Sequence, residues 1–237
     1  MKDFEEVIAF LYHATMYTIG LLILPYYIWL HYERQKAEIA RMASLAKSKG
    51  FEFQYGIHRG MRQEHRFLQK VPGSRHYGLN IMTGQFEGHS VTMFDYHYQR
   101  YFRCKSSEFS KYIEHNYISF FVLDLEKQFP ELRITKEKPK SKILARLADA
   151  VGRGDIDFES HKFSERFDVR SDDKKFAYDF CNVQMMEYLL EKTVRPIDVE
   201  KQKLVIGVNS KLSMENIDRH VDFLLNIRKR MPDYLFA

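Results

Sequence analysis

The sequence has few of the residues that mark disulfide-rich, cysteine-zinc or low-complexity proteins. Its 237 residues include two cysteines, Cys104 and Cys181, together with 11 glycines and 6 prolines. Two cysteines are too few for a disulfide framework or a cysteine-based zinc site in a chain of this length. So little glycine and proline excludes collagen-like and low-complexity sequences. We therefore expect both cysteines to be free thiols.

Motifs of nucleotide-binding proteins and of enzymes with a nucleophile are also missing. The histidines form no HxxxH or HExxH pair, so the spacing does not predict a zinc site. Ser164, Ser171 and Ser213 lack the context of a nucleophile elbow. Gly152-Arg153-Gly154 is too short for a phosphate-binding loop. We predict no catalytic residue, no metal and no cofactor, and the sequence does not identify a biochemical activity.

One acidic cluster leaves a metal-binding alternative open. Asp155, Asp157 and Glu159 would share one face of a strand, from which carboxylates can ligate a divalent cation. Ile156 and Phe158 would take the opposite face, which is the alternation of an ordinary half-buried strand. The pattern favours this structural interpretation, and a metal-assisted enzyme is the least favoured function.

A long run without charge stands near the beginning of the chain. Residues 7–32 contain no Asp, Glu, Lys or Arg, and a helix of this length, at roughly 1.5 Å per residue, exceeds the roughly 30 Å core of a bilayer. A cleaved signal peptide is disfavoured because the preceding residues are acidic on balance. We predict that residues 1–32 form a transmembrane anchor with a short N-terminal tail. The predicted anchor residues include Val7, Leu21, Leu22, Pro25, Tyr26, Tyr27 and Trp29.

Basic residues are concentrated after this run, where we predict a basic helix at residues 33–50. This asymmetry places the following domain, residues 51–237, in the cytoplasm of a bacterium, at the inner membrane. Two unpaired cysteines agree with a reducing compartment. The anionic leaflet attracts nearby cations. The predicted headgroup contacts are Arg34, Lys36, Arg41, Lys47 and Lys49.

Three residues of the uncharged run suggest a contact with another helix. His13, Tyr17 and Gly20 are spaced by four and then three residues, so they share one helical face. A small residue beside a polar group is typical of helix–helix contacts in membranes. An ordinary histidine bonded to a carbonyl or to water is the alternative, and it is the stronger of the two.

The remainder of the sequence predicts an α+β domain with a mainly antiparallel sheet and flanking helices. Strand-like segments, rich in β-branched and aromatic residues, come first and helical patterns are mixed in later. The predicted strands are 77–82, 89–98, 116–125, 132–135, 155–160, 167–170 and 203–208, and the predicted helices are 141–151, 174–192 and 213–229.

Several short sequence motifs resemble those of an uncharacterised bacterial family of membrane-associated proteins. They are Asn80 with Gly84 and Gly88, Phe94-Asp95-Tyr96 with Tyr98, Phe129-Pro130-Glu131-Leu132, and residues 155–160 leading to Phe163-Ser164. The resemblance covers most of residues 50–195 and implies a bacterial source and a single domain. The family has no assigned activity, so the resemblance implies no catalytic residue. Residues 100–105 depart from the short glycine-rich hairpin that the family tends to have there.

These observations favour an interaction protein over an enzyme. The predicted role is a membrane-anchored subunit, adaptor or assembly factor of a membrane protein complex, with lipids and other membrane proteins as partners. The alternative is a module that senses anionic lipids or a small ligand through the basic residues of segment 59–75. Nucleic acid is not a predicted partner, since no basic stripe with stacking aromatics is present. The identity of the partner and the oligomeric state do not follow from the sequence.

Overall fold

The computed structural model describes residues 2–103, 111–136, 156, 158–192 and 195–237. The chain divides into two compact units, Met1–Ser48 and Lys49–Ala237. The first unit consists of one helix, α1 (Lys2–Ser48), which continues through Pro25 and through the basic segment 33–48. The second unit is an α+β domain. The combination of a mainly antiparallel sheet with flanking helices confirms the fold class that the sequence predicts.

The prediction that residues 7–32 span a bilayer is not supported. Within the described residues, no helix is at once long enough and apolar enough to cross a membrane. In this segment, Thr15 and Thr18 donate their hydroxyl hydrogens to the carbonyls of Tyr12 and Thr15 at 2.8 and 2.9 Å.

Six described strands form the sheet of the domain. Their order is β1-β2-β3-β4-β5, each pair antiparallel, and β6 also pairs with β4 in antiparallel fashion. The central strand is therefore β4, as the nearly continuous apolar run of residues 116–125 predicts. The strands are β1 (Glu52–Gln54), β2 (Ser74–Phe86), β3 (His89–Arg103), β4 (Lys111–Lys136), β5 (Phe167–Ser171) and β6 (Ile197–Val208).

The β2–β3 hairpin confirms the predicted strand pair and shortens its turn. The turn consists of Glu87 and Gly88, with φ of 47° and 81°, whereas the sequence pattern suggests a turn that begins at Thr83. Positive φ at both turn residues matches the right-handed twist of the flanking strands. The hairpin therefore extends the paired strands to Phe86 and His89.

Irregular pairing bends the sheet between β4 and β6. The register between these strands shifts twice, between Asp124 and Phe129 and between Phe129 and Leu132. On β6, Lys201 pairs with Phe129 and has φ of 54°, a conformation that non-glycine residues rarely adopt. Bulges of this kind bend and twist the strand that contains them.

The helices of the domain are short except for the last one. The predicted helix 174–192 is two helices, because Asp173 caps the first by accepting from Phe176 N at 3.1 Å and Asn182 caps the second by accepting from Met185 N at 3.0 Å. The predicted helix 141–151 lies outside the described residues. The helices are α2 (Met61–Glu64), α3 (Arg66–Gln69), α4 (His161–Arg166), α5 (Lys174–Phe180), α6 (Val183–Glu191) and α7 (Met214–Arg230).

Both faces of the sheet are covered at its centre. On one face, Phe94, Tyr96 and Phe120 pack with Phe67 and Leu68 of α3. On the other face, the ring of Phe121 stacks on His220 of α7, with 4.9 Å between centroids. Alternate residues of β3 and β4 point to opposite faces, so the same strands supply both layers of the core. Further buried residues of α7 are Ile217, Val221 and Leu224.

Candidate functional site

Helix α1 exposes most of the side chains that the sequence predicts as membrane contacts. Leu21 is 72% exposed, and Trp29 and Tyr17 are 57% and 75% exposed. A Cβ added to Gly20 would meet no atom within 4 Å, so the space beside it is open. The predicted face of His13, Tyr17 and Gly20 is exposed along its whole length. The other predicted contacts with described side chains, Pro25, Tyr26 and Tyr27, are exposed as well, while Val7 and Leu22 have no described side chain.

The predicted headgroup residues differ in how far they are engaged. Arg34, Lys36 and Lys47 are exposed. Arg41 is exposed too, but forms an ion pair with Glu38 at 2.7 Å on the same helix, which raises the pKa of its guanidinium. Lys49, which belongs to the domain, donates to both carboxylate oxygens of Asp218, at 2.6 and 2.7 Å.

The basic segment 59–75 is largely occupied by contacts within the domain. Arg62 donates to the backbone carbonyls of Gln69 and Val71 at 3.2 and 3.4 Å. Arg66 forms an ion pair with Glu131, and Lys70 forms one with Asp198 at 2.7 Å. Three of its five basic side chains therefore have partners within the domain. This weakens the hypothesis that the segment forms a headgroup-binding patch.

The acidic cluster is only partly within the described chain. Asp155 and Asp157 lie outside the described residues, and Glu159 is exposed. The residues around it that are described, 156 and 158–160, are not in a strand, and they precede helix α4. Among all described residues, no three His, Cys, Asp or Glu side chains are close enough together to hold a metal ion.

Asp95 of β3 is a buried carboxylate with several hydrogen-bond donors around it. Asp95 is 1% exposed and accepts three hydrogen bonds, from Asn80 Nδ2 at 3.0 Å, from Ser119 Oγ at 2.6 Å and from the backbone nitrogen of Leu212 at 2.8 Å. Burial raises the pKa of this carboxyl, and the three donors oppose that shift. The bond from Leu212 holds the segment before α7 against the sheet. Asn80 and Asp95, which both belong to the motifs that resemble the bacterial family, are hydrogen-bonded to each other.

His97 lies next to Asp95 on the same sheet face. Its Nε2 is 3.0 Å from His115 Nδ1, and its ring stacks on Tyr77 with 4.3 Å between centroids. One of the two imidazole nitrogens donates and the other accepts, so at least one of them lacks a proton. Burial lowers the pKa of His97, which favours the neutral form of its imidazole. The pair is not part of any described metal-ligand group.

Two cavities open beside the sheet and share one residue, Arg195. The first has a volume of about 420 Å³ and lies between Ile206 of β6, Tyr188 of α6 and His220 of α7. Burial lowers the pKa of His220, and the nearby Arg219 and Arg195 lower it further. The second cavity, of about 270 Å³, lies on the other sheet face, where Phe67 and Phe120 line it.

Sequence reasoning missed both cavities, although Lys70 belongs to the basic segment 59–75 that it singled out. Lys70, Arg133, Arg195 and Asp198 line the second cavity but are dispersed along the sequence. Only the folded sheet brings them together, so no local spacing indicates them. Asp95 had a usable signal, because an isolated carboxylate within the aromatic and apolar run of β3 indicates a buried, hydrogen-bonded group.

Among known proteins, the chain is similar to one solved structure. No family model and no curated protein matches the chain. One solved structure, the crystal structure of the mycobacterial trehalose monomycolate transport factor A, is similar with a TM-score of 0.49 and 14% identity. That similarity covers 80% of this chain and 94% of the other. At this level the similarity supports no inference about function, and the resemblance to an uncharacterised bacterial family stays a prediction.

Proposed function

We propose that the protein is an interaction protein that works at the cytoplasmic face of a bacterial membrane, as a subunit, adaptor or assembly factor of a membrane protein complex. The observation that carries this proposal is the exposure of large apolar and aromatic side chains along residues 11–32 of α1. Among the largest are Leu21, Tyr17 and Leu24, at 72%, 75% and 64% exposed. Exposed apolar surface on this scale marks an interaction site.

The exposed side chains surround α1 instead of forming one stripe. Successive residues of a helix are about 100° apart, so Tyr26, Tyr27, Ile28 and Trp29 point to four different sides. All four are more than half exposed. A helix that is hydrophobic on all sides needs an apolar environment on all sides. Membrane lipid together with membrane protein provides such an environment, and a single groove on a soluble partner does not.

The end of this surface that precedes the basic part of α1 has the side chains typical of the interface between lipid and water. Tyrosine and tryptophan side chains combine an apolar ring with a polar atom, and they are enriched at that interface. The exposed cations Arg34, Lys36 and Lys47 follow them, and each cation near an anionic leaflet adds roughly 1 kcal/mol of attraction. The proposed arrangement therefore places the basic part of α1 near the headgroups.

Native extraction tests the proposal. The full-length protein is taken from its own membrane in mild detergent, and the mass and protein composition of the intact particle are measured. A stoichiometric particle that contains a membrane protein is the expected result. A monomer or small homo-oligomer with no other protein would contradict the role as a subunit, adaptor or assembly factor.

Sensing of anionic lipid is a second candidate, and the exposed cations of α1 favour it. Binding to vesicles of phosphatidylglycerol and phosphatidylcholine is compared with binding to phosphatidylcholine alone, at low and high salt. Because exposed charges are screened by salt, a sensor would lose its preference for the anionic vesicles at high salt. Equal binding to both vesicle types would reject this candidate and leave the first one intact.

A further inference from the structure

The second cavity combines an apolar floor with a cationic wall. Its apolar surface comes from Phe67 and Val71 on one side and from Ile118 and Phe120 of β4 on the other. The same cavity is lined by three cations, Lys70, Arg133 and Arg195, and by a single carboxylate, Asp198. Three cations facing one anion leave a net positive charge beside an apolar surface.

The cations of this wall are not equally occupied. Asp198 Oδ1 accepts from Lys70 Nζ at 2.7 Å and from Arg133 Nη1 at 3.3 Å, and its side chain is 10% exposed. Within the part of the chain that the structure describes, neither Arg195 nor the side chain of Asn209 has a hydrogen-bond or ion-pair partner. Both residues line the second cavity, and Arg195 also lines the first one, where its charge lowers the pKa of His220. A bound anion in the second cavity would therefore compete only with water for these two side chains.

The fold forms this cavity by bending β6. Arg195 and Pro196 precede the strand, and Gly207 lies near its end, yet all three line the same space. The positive φ of Lys201 lies between them, at the place where the register of β4 shifts. At Gly207, a Cβ would come within 3.1 Å of the Phe120 ring and 3.4 Å of Ile118, so the absence of a side chain keeps the floor open.

The larger cavity on the other face offers less to an anion. Two cations contact the ring of Tyr188: Arg230 Cζ lies 4.0 Å and Lys192 Nζ lies 5.6 Å from the ring centroid. Arg219 donates to Asn216 Oδ1 at 2.9 Å. Among the cations that line the first cavity, Arg195 is therefore the one without a described partner, and it is shared with the second cavity.

We propose that the second cavity is a binding site for a small amphiphilic anion, in which Arg195 and Asn209 bind a carboxylate or phosphate and Phe120 and Ile118 hold a short apolar group. A planar guanidinium matches the oxygen geometry of both anions. The volume of about 270 Å³ is slightly below the roughly 300 Å³ at which small-molecule pockets begin. The ligand is therefore small, or only the end of a longer molecule enters. This site does not involve α1, and it would stand if the proposed membrane role failed.

Methyl NMR of the full-length protein in phosphatidylcholine nanodiscs tests the site. Ile118 lines only the second cavity and Ile206 lines the first, so their δ1 methyl signals report on the two spaces separately. The probes are hexanoate and hexyl phosphate, with hexanol and inorganic phosphate as controls. We expect one or both amphiphilic anions to shift Ile118 in a saturable way, and to bind about tenfold more tightly than either control, because a charged hydrogen bond and apolar burial both contribute. The relative affinities of hexanoate and hexyl phosphate identify which anion the site prefers.

Substitutions test whether Arg195 and Asn209 bind the anion. Arg195→Ala and Asn209→Glu should each weaken binding about tenfold or more, whereas Asn209→Gln should retain it. Asn209 is exposed, so its substitution tests the site even if Arg195→Ala does not fold. Arg219→Ala, in the first cavity only, is the matched control and should change affinity less than about twofold. The proposal is overturned if Ile206 shifts and Ile118 does not, if hexanol binds as tightly as the anions, or if no saturable shift occurs up to about 10 mM.

Discussion

The two units of the chain use the same kinds of apolar residue in opposite ways. In the α+β domain, Phe121, Leu123 and Ile206 are completely buried, whereas Leu21 and Ile28 of α1 are 72% and 61% exposed. The domain thus satisfies its apolar surface by its own folding. Helix α1 does not, between residues 11 and 32, and the free energy of covering that surface remains available for association. Stability and association should therefore be separable by substitution.

The largest expected effect is on the core of the domain. Phe121→Ala removes a ring that stacks on His220 at the centre of the sheet, and such cavities cost about 3–5 kcal/mol. Tyr17→Ala, at an exposed position of α1, should change the free energy of unfolding of the domain by less than about 0.5 kcal/mol. Urea unfolding followed by circular dichroism checks both. Equal losses would contradict the separation of the two units.

A second comparison concerns buried and exposed carboxylates within the domain. Asp95→Ala leaves the amide of Asn80 and the backbone N–H of Leu212 without their acceptor, and we expect a loss of about 3 kcal/mol. Asp124→Ala is the matched control, because Asp124 is 42% exposed and contacts Lys203 at 3.4 Å. Its loss should stay below about 1 kcal/mol. A small effect of Asp95→Ala in urea unfolding would show that Asp95 does not fasten the segment before α7.

Stability should depend on pH in a direction set by four histidines of the domain, of which His97 and His220 are buried and His65 and His76 are half-buried. Burial lowers the pKa of His65, His76, His97 and His220 from the ordinary 6.5. The unfolded chain therefore binds more protons than the folded one below about pH 7, and stability is lost as the pH falls through the folded-state pKa values. Asp95 has the opposite sign, since its raised pKa favours the protonated folded state at lower pH.

The urea midpoint at pH 7.5 and 5.5 measures this dependence. We expect a lower midpoint at pH 5.5 and a smaller difference in His220→Phe, which keeps a ring against Phe121. His161→Gln is the control, because His161 is exposed on α4. A midpoint that rises towards pH 5.5 would contradict the assignment to buried, neutral histidines.

The smallest expected effect belongs to a surface ion pair. Lys229 and Glu87 are 3.0 Å apart, with side chains 61% and 55% exposed. Lys229→Ala should change the free energy of unfolding by less than about 0.5 kcal/mol, since exposed pairs gain little in water. A loss above about 1 kcal/mol in the same urea experiment would show that this pair fixes the β2–β3 turn to α7.

Local patterns predicted the regular elements and failed at their interruptions. The β-branched and aromatic residues of 89–98 predicted β3, and the helical pattern of 213–229 predicted α7. The sequence around Glu126, Lys127 and Pro130 suggested a gap between two strands, but β4 continues through it because β6 pairs with both parts. The break at Cys181–Asn182 was missed because the apolar pattern of α5 and α6 runs across it, although Asn182 is a good N-cap.

Tertiary arrangement explains what the sequence did not show of the candidate sites. The shared face of His13, Tyr17 and Gly20 follows from helical spacing alone, and its contact with another helix stays a prediction. The prediction that the uncharged run spans a bilayer is not supported among the described residues. The second cavity depends on the bend at Lys201, which places Arg195 beside Gly207, and no local pattern reports such a bend.

Membrane fractionation of two charge variants tests the central claim most directly. Leu24→Asp combined with Ile28→Asp places charge within the exposed apolar surface of α1, whereas Gln35→Asp places it at an exposed position beyond that surface. We predict that the wild type and Gln35→Asp sediment with membranes and that the double variant moves to the soluble fraction with its domain still folded. If the double variant sediments like the wild type, the apolar surface of α1 is not what brings this protein to its membrane partner.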